Sequence, residues 1–129
     1  MTAKVTDTGR SALWSSGKST FLYLAVGTGL NTVNETVTAL ATELSRVAVT
    51  QYQDGDVLEL TAYFAPGQGN GTLTEWGIFT ASSGGSCLLY GDMQGMSGAT
   101  LNSSTSRYEL TKTNTKNLTI DVVIPLENG

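Results

Sequence analysis

The sequence predicts a mainly β protein: an antiparallel β-sandwich of about seven strands with one short packed helix at about residues 36–45. Three observations point there. The chain has 129 residues, 40% hydrophobic and only 14% charged, and the remainder is largely Thr, Ser, Asn and Gly. That mixture is typical of turn-rich β proteins rather than helical bundles. Its 15 Gly against 2 Pro argue for many tight turns, because glycine supplies the backbone angles that turns need. Short apolar runs recur along the chain, with turn signals about every 8–12 residues between them.

Residues 1–19 are polar around a lone Leu13-Trp14, and read as an N-terminal arm or leader ahead of a single domain at 20–129. Phe21-Leu22-Tyr23-Leu24-Ala25-Val26, closed by Gly27-Thr28-Gly29, is a continuous apolar run suited to a strand covered on both faces. Val37, Leu40, Ala41 and Leu44 fall at i, i+3, i+4 and i+7, which predicts the helix, with Asn34 or Thr36 as its cap. Its threonines lower the intrinsic propensity, so that stripe must pack on the sheet to hold it.

Residues 47–52 and 57–64 flank Asp54-Gly55-Asp56, a hairpin signal. A glycine-rich loop opens at Pro66. The run 72–79 is a strand, and Ser82-Ser83-Gly84-Gly85 turns it into a second strand at 87–90. Residues 92–106 read as irregular, 107–110 as a short strand, and 118–124 as a closing strand ended by Pro125.

Candidate chemistry is sparse. The chain contains no histidine, which removes Ser-His-Asp and Cys-His catalysis and the commonest zinc ligand. Cys87, the only cysteine, sits in an apolar run with no adjacent basic residue, and reads as a small buried hydrophobe. Gly17-Lys18-Ser19-Thr20 resembles the end of a phosphate-binding loop. Ala12 stands where its first glycine belongs, and a strand rather than a helix follows, so a polar turn is the better reading. Asp54 and Asp56 lack the remaining spacing of a calcium loop and read as turn residues.

Glu43 and Glu75 were weighed as an acid/base pair, but no pocket or separation is visible for them. A buried carboxylate must be neutralised or paired. Glu75 is therefore expected to be tied down by Arg46 or by backbone amides, while Trp76 or Ile78 fills the core. Tyr23, Tyr63, Trp76 and Phe79 lie inside apolar strands and are expected in the core as well. Net charge is −4, with 7 scattered basic residues, so nucleic acid is not expected as a partner. No run approaches the ~20 apolar residues of a membrane span, and Met1 leads into polar residues without a signal segment. No cofactor, metal or small-molecule substrate is expected.

Several segments in order resemble a domain of tailed-bacteriophage tail-fibre, tail-collar and baseplate-associated structural proteins. They are the apolar strand into Gly27-Thr28-Gly29; Leu40-Ala41-Thr42-Glu43-Leu44-Ser45-Arg46; and Asn70-Gly71-Thr72-Leu73-Thr74-Glu75-Trp76-Gly77-Ile78-Phe79. Gly84-Gly85-Ser86-Cys87-Leu88-Leu89-Tyr90-Gly91 and Thr111-Lys112-Thr113 ahead of the closing strand complete the pattern. Trp76 departs from it, standing where a smaller apolar residue is usual. The chain also ends just past the last strand, without the shaft and tip of a fibre.

The resemblance implies a non-enzymatic virion structural protein, made in the host cytoplasm. Its partners would be identical copies, as a homotrimer, and other virion proteins. A capsid decoration protein is the nearest alternative and a glycan-binding adhesin a more distant one. The expected contact residues are Arg10, Trp14 and Lys18 on the arm, Pro66 in the glycine-rich loop, and Met93 and Met96, since methionine and tryptophan are adaptable contact groups. Arg46, Glu75 and Trp76 are expected to be structural.

Overall fold

In the computed structural model the residues described are 3–6, 8, 22–54 and 57–125. Ten strands make up the secondary structure: β1 Ala3–Val5, β2 Tyr23–Gly27, β3 Glu43–Asp54, β4 Val57–Phe64, β5 Gly71–Leu73, β6 Glu75–Phe79, β7 Cys87–Asp92, β8 Thr100–Asn102, β9 Arg107–Lys112 and β10 Leu118–Pro125. They form a curled antiparallel sheet in the order β1-β7-β6-β2-β3-β4-β10 and a small sheet in the order β5-β9-β8.

The expected helix at 36–45 is absent. Residues 34–42 run through turns and bends, and Glu43 opens β3. The apolar stripe that suggested a helix is divided between two environments. Leu40 is buried and Val37 half-buried, while Leu44 is 45% exposed on the new strand. A threonine-rich segment has little helical propensity of its own, and its Ala41 and Thr42 amides are taken by a buried carboxyl group instead of by a helix.

The 12-residue β3 joins the two halves of the curled sheet. Its first half pairs with β2 (Tyr23↔Ala48 through Gly27↔Glu43) and its second with β4 (Val49↔Ala62 through Asp54↔Val57). The ladder runs to Asp54↔Val57, so β3 and β4 pair as the two arms of the hairpin that the Asp-Gly signal predicted.

The run read as one strand at 72–79 is broken at Thr74. Leu73 and its neighbours pair with β9 in the small sheet, whereas Glu75 and its successors pair with β2 and β7. β8 lies in a stretch expected to be irregular.

The main core collects side chains from both halves and from the small sheet: Leu24, Leu60, Phe64, Leu73, Trp76, Ile78, Leu110 and Ile120 are among them. A second cluster lies on the other face of β2, β6 and β7. It comprises Ala25, Phe79, Cys87 and Tyr90, and is capped by Leu40 from the loop at 28–42. Strands β2 and β6 are thus covered on both sides, and every residue of β6 is buried.

Candidate functional site

The second face of β6 carries the densest polar arrangement among the described residues, and it is centred on Glu75. Alternation along the strand sends Trp76 and Ile78 into the main core, so Glu75, Gly77 and Phe79 face the loop at 28–42. Glu75 has no exposed surface. Its Oε1 accepts from the Ala41 amide at 2.8 Å and the Tyr90 hydroxyl at 2.6 Å. Its Oε2 accepts from the Thr42 amide at 2.8 Å and the Gly29 amide at 3.2 Å.

Four donors from three chain segments therefore converge on one carboxyl group. The Asn31 amide donates to the Tyr90 oxygen at 2.8 Å, and the Thr28 amide donates to the Thr42 carbonyl at 3.0 Å. The Thr74 hydroxyl closes the ring by donating to the Gly29 carbonyl. Together these contacts close the neck of a compact loop whose two ends meet at Glu75. A side chain on Gly27 would run into Glu75 and the Thr42 carbonyl, so that glycine is required for close approach.

Arg46 does not reach this site. It forms a two-pronged pair with Glu43, Nη2 to Oε1 at 2.6 Å and Nε to Oε2 at 2.9 Å. Its Nη1 donates to the Ala81 and Gly84 carbonyls at 2.8 Å, and its guanidinium lies 3.9 Å from the Phe79 ring centroid. Of the two kinds of partner expected for Glu75, it has backbone amides, plus a tyrosine that sequence reasoning did not name. Arg46 instead staples the turn after β6 to β3. Glu43 and Glu75 are committed to separate networks, which leaves no acid/base pair between them.

Trp76 is fully buried and donates its indole N–H to the Asp92 carbonyl at 2.9 Å. Its cross-strand neighbours are Gly91 on β7 and Val26 on β2.

Two expected core aromatics are placed differently. Tyr63 is 52% exposed and Tyr23 half-buried, since both sit on strand faces turned from the main core. Met93, expected as a contact residue, has no exposed surface and belongs to the core; its interface role is corrected accordingly. Met96 is half-buried against the same core, and Pro66 is exposed. Arg10, Trp14 and Lys18, with the Gly-Lys-Ser run, lie outside the described residues.

Sequence reasoning missed Lys112, which is 3% exposed. Its Nζ donates to the Ala65 carbonyl at 2.8 Å, the Pro66 carbonyl at 3.2 Å and Asn70 Oδ1 at 2.8 Å, so all three of its donors are used. The glycine-rich loop is thereby pinned to β9. The signal was present in the sequence: Lys112 stands two residues after Leu110, on the inward side of a period-two strand.

Cys87 is buried, its thiol pushed up from 9.0 to about 11 by burial, with a backbone hydrogen bond at Leu89 and the charge of Arg46 pulling part of the way back. Burial, then donation to Glu75, raises the Tyr90 phenol as well. A thiol with a raised folded pKa holds its proton more tightly than the same thiol in the unfolded chain. Its stabilising effect is complete below the unfolded value and is lost as pH rises through the folded one. Stability to urea is therefore expected to fall by up to ~1.4 kcal/mol per pH unit between about pH 9 and about pH 11. Cys87→Ala should flatten that fall; an equally steep alkaline loss in the variant would exclude the thiol as its source.

Beside the loop a cleft of about 390 Å³ is walled by Thr6, Glu35, Thr38 and Ser86. Hydroxyls dominate it, which suits hydrogen bonding more than nucleophilic chemistry. The described residues contain no group of three or more Asp, Glu or Cys placed to hold a metal ion. No helix among them is long and apolar enough to cross a membrane. No protein family, curated protein or solved structure matches the chain.

Proposed function

We propose that the protein is a non-enzymatic structural component of a bacteriophage virion, an assembly module associated with the tail fibre or baseplate. In this reading the curled sheet and the small sheet act as the two layers of a sandwich. The scaffold presents its loops to identical copies and to neighbouring virion proteins.

One observation carries the proposal. Four of the five segments that resemble the phage domain are spread between residues 21 and 91, yet they meet at one carboxyl group. Gly29 from the first, Ala41 and Thr42 from the second, and Tyr90 from the fourth all donate to Glu75 of the third. A likeness composed of unrelated short runs has no reason to converge in this way. The committed state of Glu75, with four hydrogen bonds and no exposed surface, also suits a joint better than a catalytic acid.

The test is immunogold electron microscopy, with antibodies to the recombinant chain, on particles produced by the host that carries the gene. Label on the tail or baseplate is the expected result. Label on the head would overturn that placement in favour of the decoration-protein reading, and particles without label would overturn the virion reading altogether.

A further inference from the structure

A strand at the edge of a sheet offers a row of backbone N–H and C=O groups, a template for another strand, and proteins usually blunt such edges. Among the described residues the two sheets have four edges, formed by β1, β10, β5 and β8. Three are blunted by shortness: β1, β5 and β8 have 3 residues each. The fourth, β10, has 8.

β10 lacks the other protective devices as well. It pairs with β4 along its whole length without a register shift, whereas the β2–β3 and β6–β7 ladders carry irregularities. It has no lysine, and its one proline, Pro125, stands at the very end. Its inward positions Ile120, Val122 and Ile124 are apolar and buried, so no inward charge interrupts it. Outward lie Thr119, Asp121 and Val123, all exposed.

We propose that β10 is a self-association edge: it pairs antiparallel with β10 of a second copy across a two-fold axis and joins the two curled sheets into one. The occupant is argued from the strand's own pattern. Because side chains alternate with period two, only registers that keep inward against inward preserve both cores. Centring the axis on Asp121 sets two carboxylates opposite each other, which is unfavourable. Centring it on Val122 sets Asp121 against Val123 and Thr119 against Pro125, which has no N–H to give.

Centring it on Ile120 pairs Leu118 through Val122 and leaves no mismatch among those five positions. Leu118 meets Val122, and Ile120 meets its own counterpart. Thr119 meets Asp121, a donor against an acceptor, the same pairing that Thr61 makes with Asp121 within the chain at 2.8 Å. A closed trimer built through this edge would need a second, different edge to receive β10, and the others are 3 residues long. A two-fold pair needs only β10 itself. This inference stands on the sheet edges and does not depend on the virion reading.

The experiment is sedimentation equilibrium on the intact chain at micromolar to tens of micromolar concentration. The wild type is expected to be a dimer. Thr119→Asp sets a second carboxylate against Asp121 of the second copy and should weaken association roughly tenfold or more, whereas Thr119→Lys sets opposite charges there and should not weaken it, both with an unchanged circular dichroism spectrum. As a check independent of those variants, a mixture of Thr119→Cys and Asp121→Cys chains should oxidise mainly to the mixed disulfide; Cys87 is buried and does not compete. A wild type that is monomeric or trimeric throughout, a dimer that Thr119→Asp does not weaken, or a mixture that forms only like-with-like disulfides would overturn the proposal.

Discussion

Replacement of Glu75 by alanine is expected to destabilise the protein by about 4 kcal/mol or more. The change strands four donors: the Tyr90 hydroxyl in the interior, and the amides of Gly29, Ala41 and Thr42, whose bonds to Glu75 are part-buried. Each unsatisfied buried donor costs on the order of 1–3 kcal/mol, and relaxation of the loop or entry of water recovers part of that sum. Domains of this size are stable by roughly 5–15 kcal/mol, so the variant should be marginal at room temperature. Glu75→Gln should be milder, because it keeps one acceptor oxygen but turns an amide N–H₂ towards N–H groups that need an acceptor. Urea unfolding gives the size of each effect. Hydrogen exchange at 28–42 gives its location, with protection lost there before the main core opens. An alanine variant within 1 kcal/mol of wild type (roughly the cost of an ordinary point mutation) would remove Glu75 from its place as the hub.

Trp76→Ala is expected to cost about 3–5 kcal/mol, the usual range for deleting a large buried aromatic ring. The ring has no exposed surface and its indole N–H is bonded to the Asp92 carbonyl. Gly91 opposite offers no side chain of its own, so closing the space would require Leu89 or Met93 of the same core to move. Trp76→Leu, closer to the smaller residue of the resembling domain, should recover much of the loss. The measurement is the thermal midpoint of the three proteins. Equal midpoints for the alanine and leucine variants would show that the cost lies in the lost indole hydrogen bond rather than in volume.

Both predictions concern adjacent residues of one short strand, and they separate what was legible in the sequence from what was not. The β-rich class followed from composition and from apolar runs spaced by turns. Alternation put Trp76 and Ile78 on the core side, and a buried glutamate beside them had to find donors. The helix at 36–45 was misjudged because Leu40 and Val37 do face the protein, as the stripe implied, but from an irregular loop. Periodicity records which residues are buried and cannot distinguish a helix from a loop that buries the same ones. The Arg46–Glu75 pairing failed for a similar reason: a nearer carboxylate, Glu43, lay three residues away. Lys112 was passed over because lysine is almost never fully buried unless paired, and its partners here are two carbonyls and an amide of a distant loop.

Residue content and spacing are enough to make this a turn-rich β protein and to require a partner for Glu75. Each is a matter of local propensity, hydrophobic period or desolvation. Long-range packing sets which donors Glu75 receives, breaks the chain at Thr74 to serve two sheets, and leaves β10 as the one long edge among the described residues. Those outcomes depend on strand order and register. These arise from contacts between residues far apart in the chain, and no local pattern encodes them.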